Sequence, residues 1–225
     1  MRRERGLVIT IDGPAGAGKS TVGKLLASRL SFTYLDTGAL YRALAYRVLK
    51  EGGAASIGNL FDLCARTSIS VKKWGKEIRV FVDNEDVTGK IRTMEIGMLA
   101  SRISARPEVR SCLLPIQRQI GKRGSIVAEG RDMGTVVFPR ADFKFFLDAS
   151  VDERSRRRYL EIKGEDCSAD VEKIRKDLTA RDEQDRTRTI APLKPSEDSI
   201  IIDSTAMGID EVVEKMLGII RKGRQ

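Results

Sequence analysis

Apolar positions along this chain fall into three rhythms, and each predicts a different element. Short unbroken apolar runs, the pattern of strands buried on both faces, occupy residues 7–11, 32–35, 125–128, 143–147 and 199–202. Helical spacing follows most of them: Val22, Leu25, Leu26 and Leu30 on a helix predicted over Lys19–Leu30, then Leu40, Tyr41, Leu44 and Val48 on one stopping at Gly52-Gly53. Leu60, Leu63 and Cys64 suggest another helix, as do Ile96, Leu99, Ala100 and Ile103. Val109, Leu113, Ile116 and Ile120 predict a helix kinked at Pro115, and a last one starts at about Ile209. The third rhythm has a period near two, from about 67 to 88, with turn signals at Lys73-Trp74-Gly75-Lys76 and Asp83-Asn84. Strands alternating with helices predict an α/β chain. The period-two stretch reads as a small antiparallel sheet inserted into it, a mobile accessory lobe outside the central sheet.

Chemistry enters where the first strand gives way to the first helix. Gly13-Pro14-Ala15-Gly16-Ala17-Gly18-Lys19-Ser20 fits G-x-x-x-x-G-K-[ST] and stands in the strand, loop, helix order of a phosphate cradle. A triphosphate needs several backbone N–H groups on a small volume, which glycines allow because no Cβ intrudes. The helix start adds free N–H groups and positive field. Lys19 then bridges the β- and γ-phosphates, the Ser20 hydroxyl ligates Mg²⁺, and Thr21 completes the loop. A glycine turn before an ordinary surface helix is the competing account, and the flanking elements weigh against it.

Other strand ends offer matching groups. Arg42 lies in the first turns of the helix after Asp36-Thr37-Gly38, where an anion is favoured. The strand at 125–128 ends in Glu129-Gly130-Arg131-Asp132: an acid placed to orient Mg²⁺, a turn, a phosphate fork and an acceptor. Ser150-Val151-Asp152-Glu153 matches a capping box and opens a helix with Arg154, Arg156, Arg157 and Arg158, followed by polar Lys163-Gly164-Glu165-Asp166. Such a run is either a solvated face or a lid closing over phosphates. In the next helix Val171, Ile174 and Leu178 form an inward stripe that continues in phase to Arg181, Asp185 and Arg188. Bare charges stay out of a core unless paired or meeting a ligand, so this end either borders a cleft or outruns the core with Arg181–Asp185 as an exposed pair. Ser204-Thr205, after the last strand, could flank a nucleotide base.

Composition narrows these options. The chain has 225 residues and 41% apolar content, enough for one α/β domain with insertions. No run reaches the ~18 apolar residues of a membrane span, and the charged start leads into a short strand and not a signal peptide, so a cytoplasmic protein is expected. Cys64, Cys112 and Cys167 are scattered and odd in number, as reduced thiols are. Histidine is absent, which removes His-based triads, His-metal sites and a histidine base. The net charge of +9 suits a nucleic-acid surface or a cleft for two polyanionic small molecules. With 12 aromatic residues (Phe 7, Tyr 4, Trp 1) and no aromatic-interleaved basic stripe, the cleft is favoured.

IDGPAGAGKST, LDTGALYR, SARPEVR, EGRDMGTVVFP, LDAS, RDEQDRTR, AP and IDST, in this order and spacing, resemble bacterial cytidylate kinases over essentially the whole chain. The resemblance implies a P-loop nucleoside-monophosphate-kinase-like fold, a five-stranded parallel sheet flanked by helices with a small antiparallel β insertion and a short helical lid. The core would cover about 1–66, 92–150 and 168–225, the monophosphate-binding insertion about 67–91 and the lid about 151–167. It implies Mg²⁺-assisted transfer of the γ-phosphoryl group of ATP to CMP or dCMP in a protein that is usually monomeric and engages neither nucleic acid nor membrane. By position, Gly13 to Thr21 would hold ATP, while Thr37, Arg42 and Arg131 would hold the acceptor phosphate. Arg181 and Asp185 would contact acceptor phosphate and sugar; Ser101, Arg110, Asp132 and Arg188 would read cytosine. Lys19, Arg131, Arg181 and the lid arginines Arg154 and Arg157 would carry the transition-state charge. Glu129 stands where many members have Asp, Thr37 where Ser is common, and Ser20 where some have Thr or Gly. A P-loop kinase for another monophosphate or a small metabolite is the nearest alternative. A regulatory or nucleic-acid-binding NTPase is more distant: Asp86-Val87-Thr88-Gly89 has a D-x-x-G form but lies in the period-two stretch, and no N-K-x-D guanine signal occurs.

Overall fold

The computed structural model describes residues 6–53, 60–74, 77–122, 124–163 and 170–223. Its centre is a five-stranded sheet in the order β2-β6-β1-β7-β8, built from β1 (Val8–Asp12), β2 (Thr33–Asp36), β6 (Ile126–Gly130), β7 (Phe143–Asp148) and β8 (Ile200–Asp203). Every pairing in it is parallel, and Asp12 stands opposite both Gly130 and Phe146. All five residues of β1 are buried, which is why its run has no polar alternation. β1 has β6 on one side and β7 on the other, so its carboxyl end lies at the crevice where ligands bind in such sheets. α1 (Lys19–Leu30) and α8 (Ile209–Lys222) cover one part of the sheet through a core that includes Ile9, Leu26, Phe145, Leu147 and Met216.

β2 is displaced by one residue from the expected run and passes directly into α2 (Thr37–Lys50). Asp36 caps that helix, its Oδ1 accepting the Ala39 N–H at 3.0 Å. α3 (Leu60–Arg66) precedes a separate antiparallel sheet of β3 (Ile69–Trp74), β4 (Glu77–Val82) and β5 (Glu85–Asp86). It stands outside the parallel sheet, as expected, but has no core of its own. Ile69, Val80, Val82 and Val87 share one cluster with Leu40 and Leu44 of α2, Leu63 of α3, and residues of α4 (Met94–Ile103) and α5 (Pro107–Gly121). Of the expected turn around Lys73–Lys76, Gly75 and Lys76 lie outside the described residues.

Three local expectations are corrected. The buried positions of α5, which contains Pro115, are Val109, Arg110, Leu113, Gln117 and Gly121, whereas Ile116 and Ile120 of the expected stripe are only partly covered. Glu153 does not turn back to complete a capping box at the start of α6 (Val151–Ile162). Ser150 Oγ accepts the Glu153 N–H at 3.2 Å, but the Glu153 carboxylate takes Arg156 and Arg157, and the Ser150 N–H goes to Thr205 Oγ1. In α7 (Val171–Thr187) Val171 is 40% exposed, and the inward stripe is Leu178, Asp182, Asp185. The step from Leu178 to Asp182 follows the i,i+4 row, and both acids are tolerated inside because each has an arginine partner. A π-helical turn, Met133–Val137, follows β6 and was not expected from the sequence.

Candidate active site

The glycine loop fills the end of β1. Gly13 has φ 148° and runs so close to β7 that a Cβ there would lie 2.0 Å from the Leu147 carbonyl oxygen. Gly18 caps α1 in the left-handed region, φ 87°. Lys19 folds over the loop, its Nζ donating to the Pro14 carbonyl at 2.5 Å, and is 7% exposed. Burial above all, then repulsion from Arg131 and Arg181, lower its pKa to about 7 against the opposing charges of Glu129 and Asp185. Ser20 and Thr21 remain exposed.

Asp12, not singled out by the sequence pattern, joins the end of β1 to the π-helical turn after β6. Its two carboxylate oxygens accept the N–H groups of Met133 (2.8 Å) and Gly134 (2.7 Å). Burial pushes it up to about 6, against those two hydrogen bonds. Glu129, 4% exposed, receives the Tyr34 hydroxyl, while its backbone carbonyl accepts Thr37 Oγ1 at 2.7 Å. Burial and then the charge of Asp36 raise the Glu129 pKa; Lys19 and hydrogen bonds from Ser20 and Tyr34 pull it down.

Around this centre the arginines are held on carboxylates. Arg131 Nε donates to Asp185 Oδ2 at 2.8 Å, and Arg188 reaches Asp185 Oδ1 at 3.5 Å while its Nε takes the Ala191 carbonyl at 2.6 Å. Burial alone would raise Asp185, but Arg131 and Arg188 hold it below the usual carboxylate range. Arg42 pairs with Asp36 at 2.8 Å, and Arg92 joins the same oxygen at 3.0 Å. Arg110 is paired with Asp132, donates to the Ser104 carbonyl at 3.0 Å, and lies over the Tyr41 ring. Tyr41, Arg110 and Asp132 line a cavity of about 160 Å³ with Gln117, Val137 and Ile190. Two guanidinium nitrogens in the cluster, Arg42 Nε and Arg188 Nη2, are buried without a hydrogen-bond partner. Arg181 stays open to solvent yet adds to the field at Lys19. Ser101 faces α7, its carbonyl accepting Gln184 Nε2 at 3.0 Å.

The expected lid arginines separate into two kinds. Arg156 and Arg158 make exposed pairs with Glu153 and Glu161. Arg157 lies beside Gly18 and donates to the Ser204 hydroxyl (3.1 Å) and carbonyl (2.6 Å). The Ser204 hydroxyl itself donates to the Asp148 carbonyl at 3.0 Å, while Thr205 Oγ1 donates to the Asp203 carboxylate at 2.6 Å and accepts the Ser150 N–H, so both hydroxyls are engaged within the protein. Arg154 is buried beneath the loop, bonded to Ala15, Ala149 and Asp182. The expected lid residues 164–167, Cys167 among them, lie outside the described residues. Sequence reading missed Asp12, Asp36, Asp182 and Tyr34. The available signal was an acid inside an apolar run for Asp12, since a buried carboxylate must find donors, and the i,i+4 step from Leu178 for Asp182.

A glycine loop and helix start at the carboxyl end of the middle strand of a parallel sheet, with arginines converging opposite, define a P-loop phosphotransferase-type fold. The solved structure of a gluconokinase from Sinorhizobium meliloti 1021 has the same general fold, with a TM-score of 0.50 at 14% identity, covering 99% of this chain and 96% of that one. The family model described as cytidylate kinase matches residues 9–222. A cytidylate kinase of Geobacter sp. (strain M21) is 48% identical over 95% of this chain and 92% of its own length. One from Citrifermentans bemidjiense is 47% identical over 98% and 95%. The chain belongs to the cytidylate kinase family.

Proposed function

We propose that this chain transfers the γ-phosphoryl group of ATP to CMP or dCMP, giving ADP and CDP or dCDP. The observation that carries the reading is the convergence, beside the glycine loop, of Lys19 with Arg131 and Arg181, and of Arg42, whose charge acts on Arg181; Arg42 and Arg188, the residue that caps the end of α7, each keep a buried guanidinium nitrogen unpartnered. An unpartnered buried donor is costly, and phosphate or base oxygens satisfy it. Gly13 to Thr21 hold ATP, with Arg157 beside Gly18. Thr37, Arg42, Arg131 and Arg181 hold the acceptor phosphate, Asp185 the sugar, and Ser101, Arg110, Asp132 and Arg188 the cytosine. The cytosine amino group suits the Asp132 carboxylate, whereas uracil presents an oxygen there and leaves it unpaired. On this reading the β insertion binds the monophosphate and α6 belongs to the lid.

A loose phosphoryl transition state asks for alignment and charge more than covalent help. Lys19, Arg131 and Arg181 supply that charge. The acceptor is already an oxyanion, so a chain without histidine lacks nothing it needs. The oxygen donors near the loop, the exposed Ser20 hydroxyl and the Glu129 carboxylate behind it, fit a magnesium ion. Magnesium draws most of its ligands from water and substrate phosphates, so one or two protein oxygens are enough to place it. Bound there it neutralises phosphate charge. Coupled assays with CMP, dCMP, UMP and AMP test the reading: turnover is expected to be fastest with CMP or dCMP. Faster use of AMP, or nucleotide hydrolysis that CMP does not convert to transfer, would refute it.

A further inference from the structure

Asp182 plays no part in the chemistry above, yet it is only 4% exposed. Its Oδ1 accepts the Ala15 N–H at 3.2 Å, and its Oδ2 takes the Arg154 guanidinium. Arg154, 5% exposed, donates from the same Nη1 to the Ala15 carbonyl at 3.0 Å and from Nε to the Ala149 carbonyl at 2.9 Å. Both polar groups of one glycine-loop residue are therefore gripped by a single buried ion pair, one member from α6 and the other from α7. The contact is close on the backbone side too, since a Cβ at Gly16 would sit 3.2 Å from Arg154 Cβ. A buried pair adds little net stability over an apolar one, but hydrogen-bonded at every end it fixes geometry. Asp182 is flanked on α7 by Arg181 and Asp185, the latter held on Arg131.

Resting on the phosphoryl-transfer reading, we propose that Asp182, acting through Arg154, is a positioning residue that registers the donor loop on the helix carrying the acceptor groups. Engaging Arg181 and Asp185 with the acceptor then fixes α7 and, through the pair, the Ala15 peptide. The two nucleotides bind cooperatively as a result, each tightening the other by the same factor.

The test is calorimetric titration of the full chain with a non-hydrolysable ATP analogue, with and without saturating CMP, alongside steady-state kinetics. The wild type is expected to bind the analogue about fivefold or more tightly with CMP present. In Asp182→Asn that ratio falls to near unity and kcat drops roughly 10- to 100-fold, with the CMP KM changed far less. A folded Asp182→Asn protein that keeps the wild-type ratio and kcat overturns the proposal, as does a wild type without coupling. If the Asn variant fails to fold, Arg154→Lys, which keeps the charge but loses the fork spanning Ala15 and Ala149, must show the same loss of coupling; an intact ratio there overturns the proposal equally. A wild type that does not phosphorylate CMP at all refutes the functional reading instead, and the two failures are distinguishable.

Discussion

In the proposed reaction the donor and acceptor sides of the cleft meet the same demand, gripping phosphate, in opposite ways. The donor side is nine consecutive residues, Gly13 to Thr21, whose anion-binding groups are backbone N–H donors fixed by three glycines and a helix start. The acceptor side is gathered from positions as far apart as Thr37 and Arg188, and its charges are already spoken for: Arg42 on Asp36, Arg110 on Asp132, Arg131 and Arg188 on Asp185. The backbone cradle takes its conformation largely from neighbouring residues, with Ala15 additionally held by Asp182 and Arg154. A cluster of four arginines would repel itself without its carboxylates, so the acids hold the cations in place until a ligand arrives.

The largest expected effect is at the one side chain that belongs to both halves. Lys19→Met should lower kcat by roughly a thousandfold. Because burial and Arg131 depress the free Lys19 to about 7, while bound phosphates favour the ammonium, ATP binding should take up a proton above neutral pH. Calorimetry in buffers of different ionisation enthalpy at about pH 8 should show up to roughly one proton per site for the wild type and none for Lys19→Met. Next comes the acceptor phosphate. Arg131→Met should cut kcat/KM for CMP roughly 100- to 1000-fold, while the KM for ATP moves little; a matching loss in ATP affinity would erase the division between the halves. Arg188→Met should raise the KM for CMP about tenfold or more and leave ATP binding intact, and equal losses for both would contradict its assigned place. Smallest is Arg158→Ala, on an exposed i,i+3 pair with Glu161. Its expected cost is below about 0.5 kcal/mol, so a melting temperature and kcat indistinguishable from wild type would set the surface arginines of α6 apart from Arg154 and Arg157.

Legibility in the sequence follows the same division. The glycine loop could be read because its function is local: the spacing of Gly13, Gly18, Lys19 and Ser20 is the geometry. The strands of the parallel sheet and the antiparallel insertion were equally legible, because burial on two faces or one writes a distinct period into the chain. Arg154 shows where such reading fails. In a run of four arginines nothing local distinguishes it from Arg156 or Arg158, and only the packing of α6 beneath the loop puts it on Ala15 and Asp182. Asp182 itself was hidden one residue from the stripe drawn through Arg181, since a helix allows either three or four residues per step and periodicity alone does not choose.

By itself the sequence determined the strands and α-helices, the phosphate loop and, through its motifs, the family. Tertiary structure alone decided which charges face which: that Asp12 links β1 to the π-helical turn, that Asp185 holds two arginines, and that Ser204 braces Arg157. The physical reason is range. Backbone conformation and hydrophobic period are set by neighbours within a turn or a strand, whereas ion pairs between residues more than 50 positions apart, such as Arg131 and Asp185, exist only once the sheet has brought their elements together.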